Sequence, residues 1–253
     1  MNPSAWNKFV EVREYYRGEI ERMQRSLPEL RAVQQKLVDG RSPSYAVETP
    51  IVYNGALDDV NRDSEIRMIL VGDNPGRREQ AAENRRYLVG PSGKIAEKFF
   101  RDNPVLGIDF RKNVVILNKT PIHTPRTVEL RELCRLGGGS LENALAESQR
   151  LMVRLLAEFR SALAGGDGSA LPVWITGYSE MRKGGVFEVY TNELKTMYGN
   201  ASGAGAAGET VFLYRHFSMN QFTVDLKRQT LPGESLLQTL GRIGAAYRRR
   251  FLY

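Results

Sequence analysis

Apolar residues near the start of the chain recur at helical spacing. Trp6, Phe9, Val10, Ile20 and Met23 fall on one side of a helix for which Ser4 is a plausible N-cap. The tetrad Ser26-Leu27-Pro28-Glu29 has a capping-box pattern, which predicts a second helix stopped by Gly40. Residues 41–50 form a turn-rich connector. The pattern divides the chain into a helical extension over 1–50, packed on the main domain, and an α/β domain over 51–253. A separate helical hairpin is the alternative.

From residue 66 onward the apolar residues gather into short runs separated by helical stretches, as in a parallel sheet with covering helices. The predicted strands are 66–71, 114–117, 173–176 and 211–214, with helices near 94–101, 140–164 and 234–250. The fold class that follows is a three-layer α/β/α sandwich with a four-stranded parallel sheet plus an N-terminal helical appendage. In the helix over 140–164, Leu141, Leu145, Met152, Leu155, Leu156, Phe159 and Leu163 form one stripe, so Met152 is expected in the core. Residues 199–208 (GNASGAGAAG) are of low complexity and expected to be mobile, and the Asn200-Ala201-Ser202 sequon means little without a secretory signal.

Composition narrows the class. The 253 residues are 42% hydrophobic and 26% charged, a globular balance that excludes global disorder. No run approaches the ~18 apolar residues of a membrane helix, and the N-terminus lacks a secretory apolar region, so a cytoplasmic protein is expected. Cys134 is the sole cysteine and His123 and His216 the sole histidines, which argues against disulfides, iron–sulfur clusters and any metal or other cofactor. The formal charge of +7 suggests an acidic partner such as nucleic acid.

In open α/β sheets ligands bind outside the carboxyl ends of the strands, so chemistry is expected in the loops there. The first strand leads into Gly72-Asp73-Asn74-Pro75-Gly76, then through a charged link into Tyr87-Leu88-Val89-Gly90-Pro91-Ser92-Gly93 and a helix. That turn presents free amide groups and a positive dipole end to an anion, unless Ser92 simply caps the helix. The second strand is followed by Asn118-Lys119-Thr120-Pro121-Ile122, the third by Gly177-Tyr178 and the fourth by Arg215-His216-Phe217-Ser218-Met219-Asn220.

These three polar loops, in this order, resemble the motifs of the uracil-DNA glycosylase superfamily. The first resembles its G-x-N-P-G, G-E-A-P-G or G-Q-D-P-Y element with the later P-F-V-G-x-S/A-G. The second is similar to N-x-C-P-L, and His216-Phe217-Ser218-Met219-Asn220 is similar to H-P-S-P. The likeness spans 66 to about 222 and mixes features of the single-strand-selective and thermophile-type families, without the cluster cysteines of the latter.

The resemblance implies a monofunctional hydrolase of base excision repair that flips uracil or a related damaged base out of DNA and cleaves its N-glycosidic bond. Asp73 and Asn74 would place the attacking water, and His216 would donate to the departing base. Asn118 would read that base, donating to O4 and accepting from N3–H, with Tyr87 or Leu88 stacking on it. Gly90, Ser92, Gly93, Arg215, Phe217 and Ser218 would contact DNA, helped by basic pairs such as Arg77-Arg78 and Arg182-Lys183. The partner is DNA, single- or double-stranded, engaged by a monomer, with no membrane.

The sequence departs from the family where Leu88 replaces the stacking Phe and where Phe217 and Met219 replace two prolines. Two other readings follow. One is a non-catalytic member that recognises modified or single-stranded DNA. The other is a hydrolase or transferase of free nucleotides using Gly90 to Gly93 as a phosphate loop.

Overall fold

The structure is a computed structural model that describes residues 1–164, 171–198 and 209–253. The low-complexity run and its sequon lie outside the described residues. Its sheet consists of β1 (Met68–Gly72), β2 (Val114–Asn118), β3 (Val173–Thr176) and β4 (Val211–Tyr214), all parallel in the order β2-β1-β3-β4. Every residue of β1, β2 and β3 is buried, as expected of strands covered on both faces.

Alternate residues of the strands serve opposite layers. Ile69, Val71, Val115, Leu117, Val173 and Ile175 join one core with α1 (Pro3–Ser26), α2 (Leu30–Asp39), α5 (Glu129–Leu163) and α6 (Glu188–Tyr198). Met68, Leu70, Val114, Ile116, Trp174 and Tyr214 join another with α4 (Pro91–Asp102), α7 (Gln221–Gln229) and α8 (Leu236–Leu252). A one-turn α3 (Arg77–Gln80) precedes α4. The chain is therefore a three-layer α/β/α sandwich carrying N-terminal helices.

Several boundaries differ from the sequence reading, each for a local reason. Asn2, not Ser4, caps α1, its Oδ1 accepting from the Ala5 amide. Ser26 is the last residue of α1 and its hydroxyl bonds back to the Met23 carbonyl, so the expected capping box does not form and α2 starts at Leu30 without a side-chain cap. β1 starts two residues later than expected and includes Gly72. The predicted helix over 140–164 is the second arm of α5, and a shorter helical arm from Glu129, which buries Leu130 and Leu133, precedes it across a kink at Gly138 (φ +66°, ψ −162°). α6 and α7 escape the sequence reading because their buried stripes are sparse, Tyr190, Leu194 and Tyr198 in one and Phe222 and Leu226 in the other.

The N-terminal helices share the sheet's core. Phe9, Val12, Tyr16 and Ile20 of α1 are buried, with the Phe9 ring 5.4 Å from that of Phe159 on α5. Full burial of such a side chain is worth about 1.5–3 kcal/mol. The Tyr16 hydroxyl also meets that of Tyr87 at 2.6 Å, tying α1 to the segment ahead of α4.

The chain passes from β1 to β2 on one side and later from β3 to β4 on the other. The order therefore reverses between β1 and β3, which places a crevice outside their carboxyl ends.

Candidate functional site

A cavity of about 520 Å³ opens at this reversal point, lined by groups from the loops after β1, β2 and β4 and from the start of α4. Asp73, Asn74, Asn118 and His216 all border it, as do Leu88, Gly90, Ser92, Ser218 and Met219. Larger grooves of about 790, 790 and 660 Å³ lie against α1, along the β2 edge and between α5 and α6, away from the carboxyl ends of the strands.

Asn118 ends β2 and is 2% exposed, yet its Nδ2 has no hydrogen-bond partner among the described residues. A buried amide donor left unpaired carries a desolvation penalty of about 1–3 kcal/mol, and the residue that bears it borders the cavity. Gly72 makes room for this side chain, since a Cβ there would stand 2.6 Å from Asn118 Oδ1.

Asn74 is fixed on both ends of its amide. Nδ2 donates to Thr124 Oγ1 at 2.9 Å and to the Thr124 carbonyl at 3.2 Å, while Oδ1 accepts from Thr127 Oγ1 at 3.0 Å. Oδ1 retains a second lone pair that can accept from water.

Asp73 is held by charge. Its Oδ1 accepts from Lys119 Nζ at 2.6 Å and its Oδ2 lies 3.3 Å from the Thr127 hydroxyl. Lys119 is fully buried and also donates to the Gly72 and Thr176 carbonyls, joining the ends of β1 and β3. Burial pushes its amine below the ordinary lysine value, against the attraction of Asp73. Gly177, at φ +81°, passes so close that a Cβ would lie 2.4 Å from Asp73 Oδ1.

His216 accepts at Nδ1 from the Ser218 amide at 3.1 Å, which assigns the ring proton to Nε2. Nε2 makes no hydrogen bond among the described residues. Burial holds this imidazole below the usual histidine range, with Lys119 adding to the effect and Asp73 opposing it. The ring is therefore a neutral N–H donor at the edge of the cavity.

The structure thus brings Asp73, Asn74, Asn118, His216 and Leu88 to one cavity and separates other expected residues from it. Tyr87 is 1% exposed, and its hydroxyl donates to the Val52 carbonyl at 2.7 Å, so it is a structural tyrosine rather than a stacking surface. Phe217 is fully buried and stacks on Phe222 at 4.4 Å, which removes it from any DNA surface. Gly93 is buried as well, because a Cβ there would lie 1.5 Å from the Leu88 carbonyl oxygen. Arg215 is half exposed and pairs with Asp225 at 3.4 Å.

The expected anion site before α4 is filled by the protein itself. Backbone N–H groups of Gly76, Leu88, Val89 and Gly90 face the buried carboxyl of Glu79, which burial nevertheless pushes up to about 7.

Sequence reasoning passed over Lys119, Thr124, Thr127, Glu79 and His123. For Lys119 a signal was present, a charge placed between Leu117-Asn118 and Thr120-Pro121 in an otherwise uncharged run. Glu79 also had one, standing three residues after a helix-opening Gly76. The two threonines had none.

The sequence matches no protein-family model and no curated protein, so the cavity's own geometry carries its interpretation.

Proposed function

We propose that this chain is a monofunctional DNA glycosylase that hydrolyses the N-glycosidic bond of uracil or a related oxo-base flipped out of DNA. The observation that carries the reading is the unpaired Nδ2 of Asn118, buried at a cavity that Asp73, Asn74 and His216 also border. Both unpaired N–H groups there, Asn118 Nδ2 and His216 Nε2, are donors, which suits a base bearing carbonyl oxygens.

Each resident has a role in the reaction. The bond from the base nitrogen to C1′ breaks with its electron pair leaving on the base, and the sugar gains oxocarbenium character. His216 donates a hydrogen bond to the base oxygen that gathers this charge, an interaction of the oxyanion-hole type. Asn74 Oδ1 orients the water whose oxygen bonds to C1′, and the Asp73 carboxylate takes the proton that water loses. The departing base is protonated from solvent. Arg78 and Arg126, both exposed at the cavity, are placed to meet phosphates, which adds affinity without sequence preference.

One observation favours a second reading, a non-catalytic protein that recognises modified or single-stranded DNA. Among the described residues no Phe, Tyr or Trp lines the cavity, so Leu88 must cover the base without the about 1–3 kcal/mol of ring stacking.

Oligonucleotides carrying uracil, hypoxanthine or xanthine, incubated with the protein and then treated with alkali, test the first reading. Strand breaks at the modified base support it, whereas salt-dependent binding with no break at any of the three overturns it in favour of the second. Within the first reading, Asn118→Asp weakens uracil excision and admits cytosine, because a carboxylate accepts from the exocyclic amine. Unchanged uracil excision by this variant would remove Asn118 from base recognition.

A further inference from the structure

We infer that Lys119 is a positioning residue that acts through Asp73, gripping one carboxylate oxygen and turning the group to the cavity so that Asp73 receives the proton of the attacking water. The inference rests on the glycosylase reading and adds to it the residue on which the site's base depends.

Three observations carry it. Lys119 is fully buried, so its charge serves no surface or DNA contact. Its ammonium directs its hydrogen bonds at Asp73 Oδ1, the Gly72 carbonyl and the Thr176 carbonyl, drawing together the ends of the two strands at the reversal point. Gly177 leaves room for that carboxylate against the end of β3, where any side chain would collide with it. Asn74 cannot substitute for Asp73, because a neutral amide orients water but takes no proton. An ion pair beneath an open cavity also differs from a structural one, since its carboxylate keeps a cavity-facing side while its cation is sealed.

A buried charge whose partner is removed is strongly destabilising, whereas removing both partners is often tolerated. Lys119→Met alone therefore risks a folding defect, and the double variant Asp73→Asn/Lys119→Met is the decisive protein. The readouts are the single-turnover excision rate on single-stranded uracil DNA, per folded molecule, and the Kd for the same strand carrying a non-cleavable uracil nucleotide.

Asp73→Asn is expected to lower the rate by about 10²- to 10⁴-fold, the usual range for a lost general base. Adding Lys119→Met should then change the rate less than threefold, leave Kd within twofold and raise the melting temperature above that of Asp73→Asn. Lys119→Arg, which keeps the charge, should retain more activity than Lys119→Met wherever the latter folds. A rate in the double variant that falls by the product of the single losses, or a Lys119→Met protein that folds and cleaves at the wild-type rate, would overturn the inference while leaving the glycosylase reading intact. Absence of excision by the wild-type protein overturns both.

Discussion

The loops after β2 and β4 each place one histidine near the cavity, and the two rings are bonded differently. His123 is fully buried, its Nδ1 donating to the Pro75 carbonyl at 2.8 Å and its Nε2 accepting from the Tyr45 hydroxyl at 3.1 Å. Both nitrogens are used, and burial pushes the ring down to about 4. His216 spends Nδ1 on the Ser218 amide and keeps Nε2 for the cavity. Both rings are neutral, so charge does not tell them apart. What separates them is an unspent hydrogen bond, and the proposed reaction uses it. Asn118 and the buried Asn54 differ in the same way, because Asn54 gives its Nδ2 to the Ile116 carbonyl at 2.8 Å.

The largest expected effect tests this division at its active end. His216→Gln lowers the excision rate by about 10²- to 10³-fold, the usual loss for an oxyanion-type donor, with little change in melting temperature. A variant that cleaves normally would show that Nε2 has no partner in the reaction.

The next tests the structural end. His123→Ala leaves the Pro75 carbonyl and Tyr45 hydroxyl unpaired around a new void, at a cost of about 3 kcal/mol. For a chain of this size that corresponds to roughly 6–12 °C in Tm. Excision per folded molecule should fall less than in His216→Gln, which separates holding the loop from acting in the site.

The difference between the two rings also marks what the sequence could reveal. The parallel sheet was legible because Met68 to Val71, Val114 to Leu117 and Val173 to Ile175 are unbroken apolar runs, and such runs have few alternatives in an α/β chain. Cavity residues at strand ends, Asp73, Asn74, Asn118 and His216, were legible for a related reason, since topology alone puts them at one edge. Tyr87 and Phe217 were misassigned because adjacency to a motif does not fix the direction of a side chain. Tyr87 turns to Tyr16 on α1, a partner 71 positions away, and Phe217 turns to Phe99 and Phe222. Lys119 reads as a surface cation until Asp73, Gly72 and Thr176 are seen around it.

Glu79 and His123 sharpen the comparison through pH. The unfolded His123 binds a proton below its ordinary value of 6.5 and the folded ring only near 4, so its neutral contacts contribute fully above about pH 6.5 and are lost as pH falls toward 4. Glu79 works the other way. Its carboxyl, raised from 4.5 to about 7, holds a proton longer when folded, so stability declines as pH rises from about 4.5 to 7. The opposing slopes overlap and partly cancel. Replacing Glu79 by Gln removes one of them, and between pH 4.5 and 7 the variant should gain about 2–3 kcal/mol relative to the wild type. Parallel stability curves in urea at pH 5, 6 and 7 would contradict the assignment.

The smallest effect concerns the tip of the β4 loop, where Met219 is 85% exposed at φ +53° and is followed by Asn220 at φ +57°. A non-glycine residue in the left-handed region is strained by about 1–2 kcal/mol, and an apolar side chain in water there gains nothing from the fold. By contrast, the loop after β2 buries Lys119, Thr120 and Ile122 without exception. Under the proposed function, a strained, solvent-facing Met at the rim is a contact for the DNA that approaches the cavity. Met219→Gly relieves the strain and removes the contact, so the variant should melt at the wild-type temperature or slightly above it while binding duplex DNA with uracil about 3- to 10-fold more weakly, a loss of about 0.7–1.4 kcal/mol. Single-stranded DNA, which needs no strand separation, should lose less. Equal losses on both substrates would make Met219 a general contact rather than one that helps to part the strands, and an unchanged Kd on duplex would leave the strain at this tip without a function.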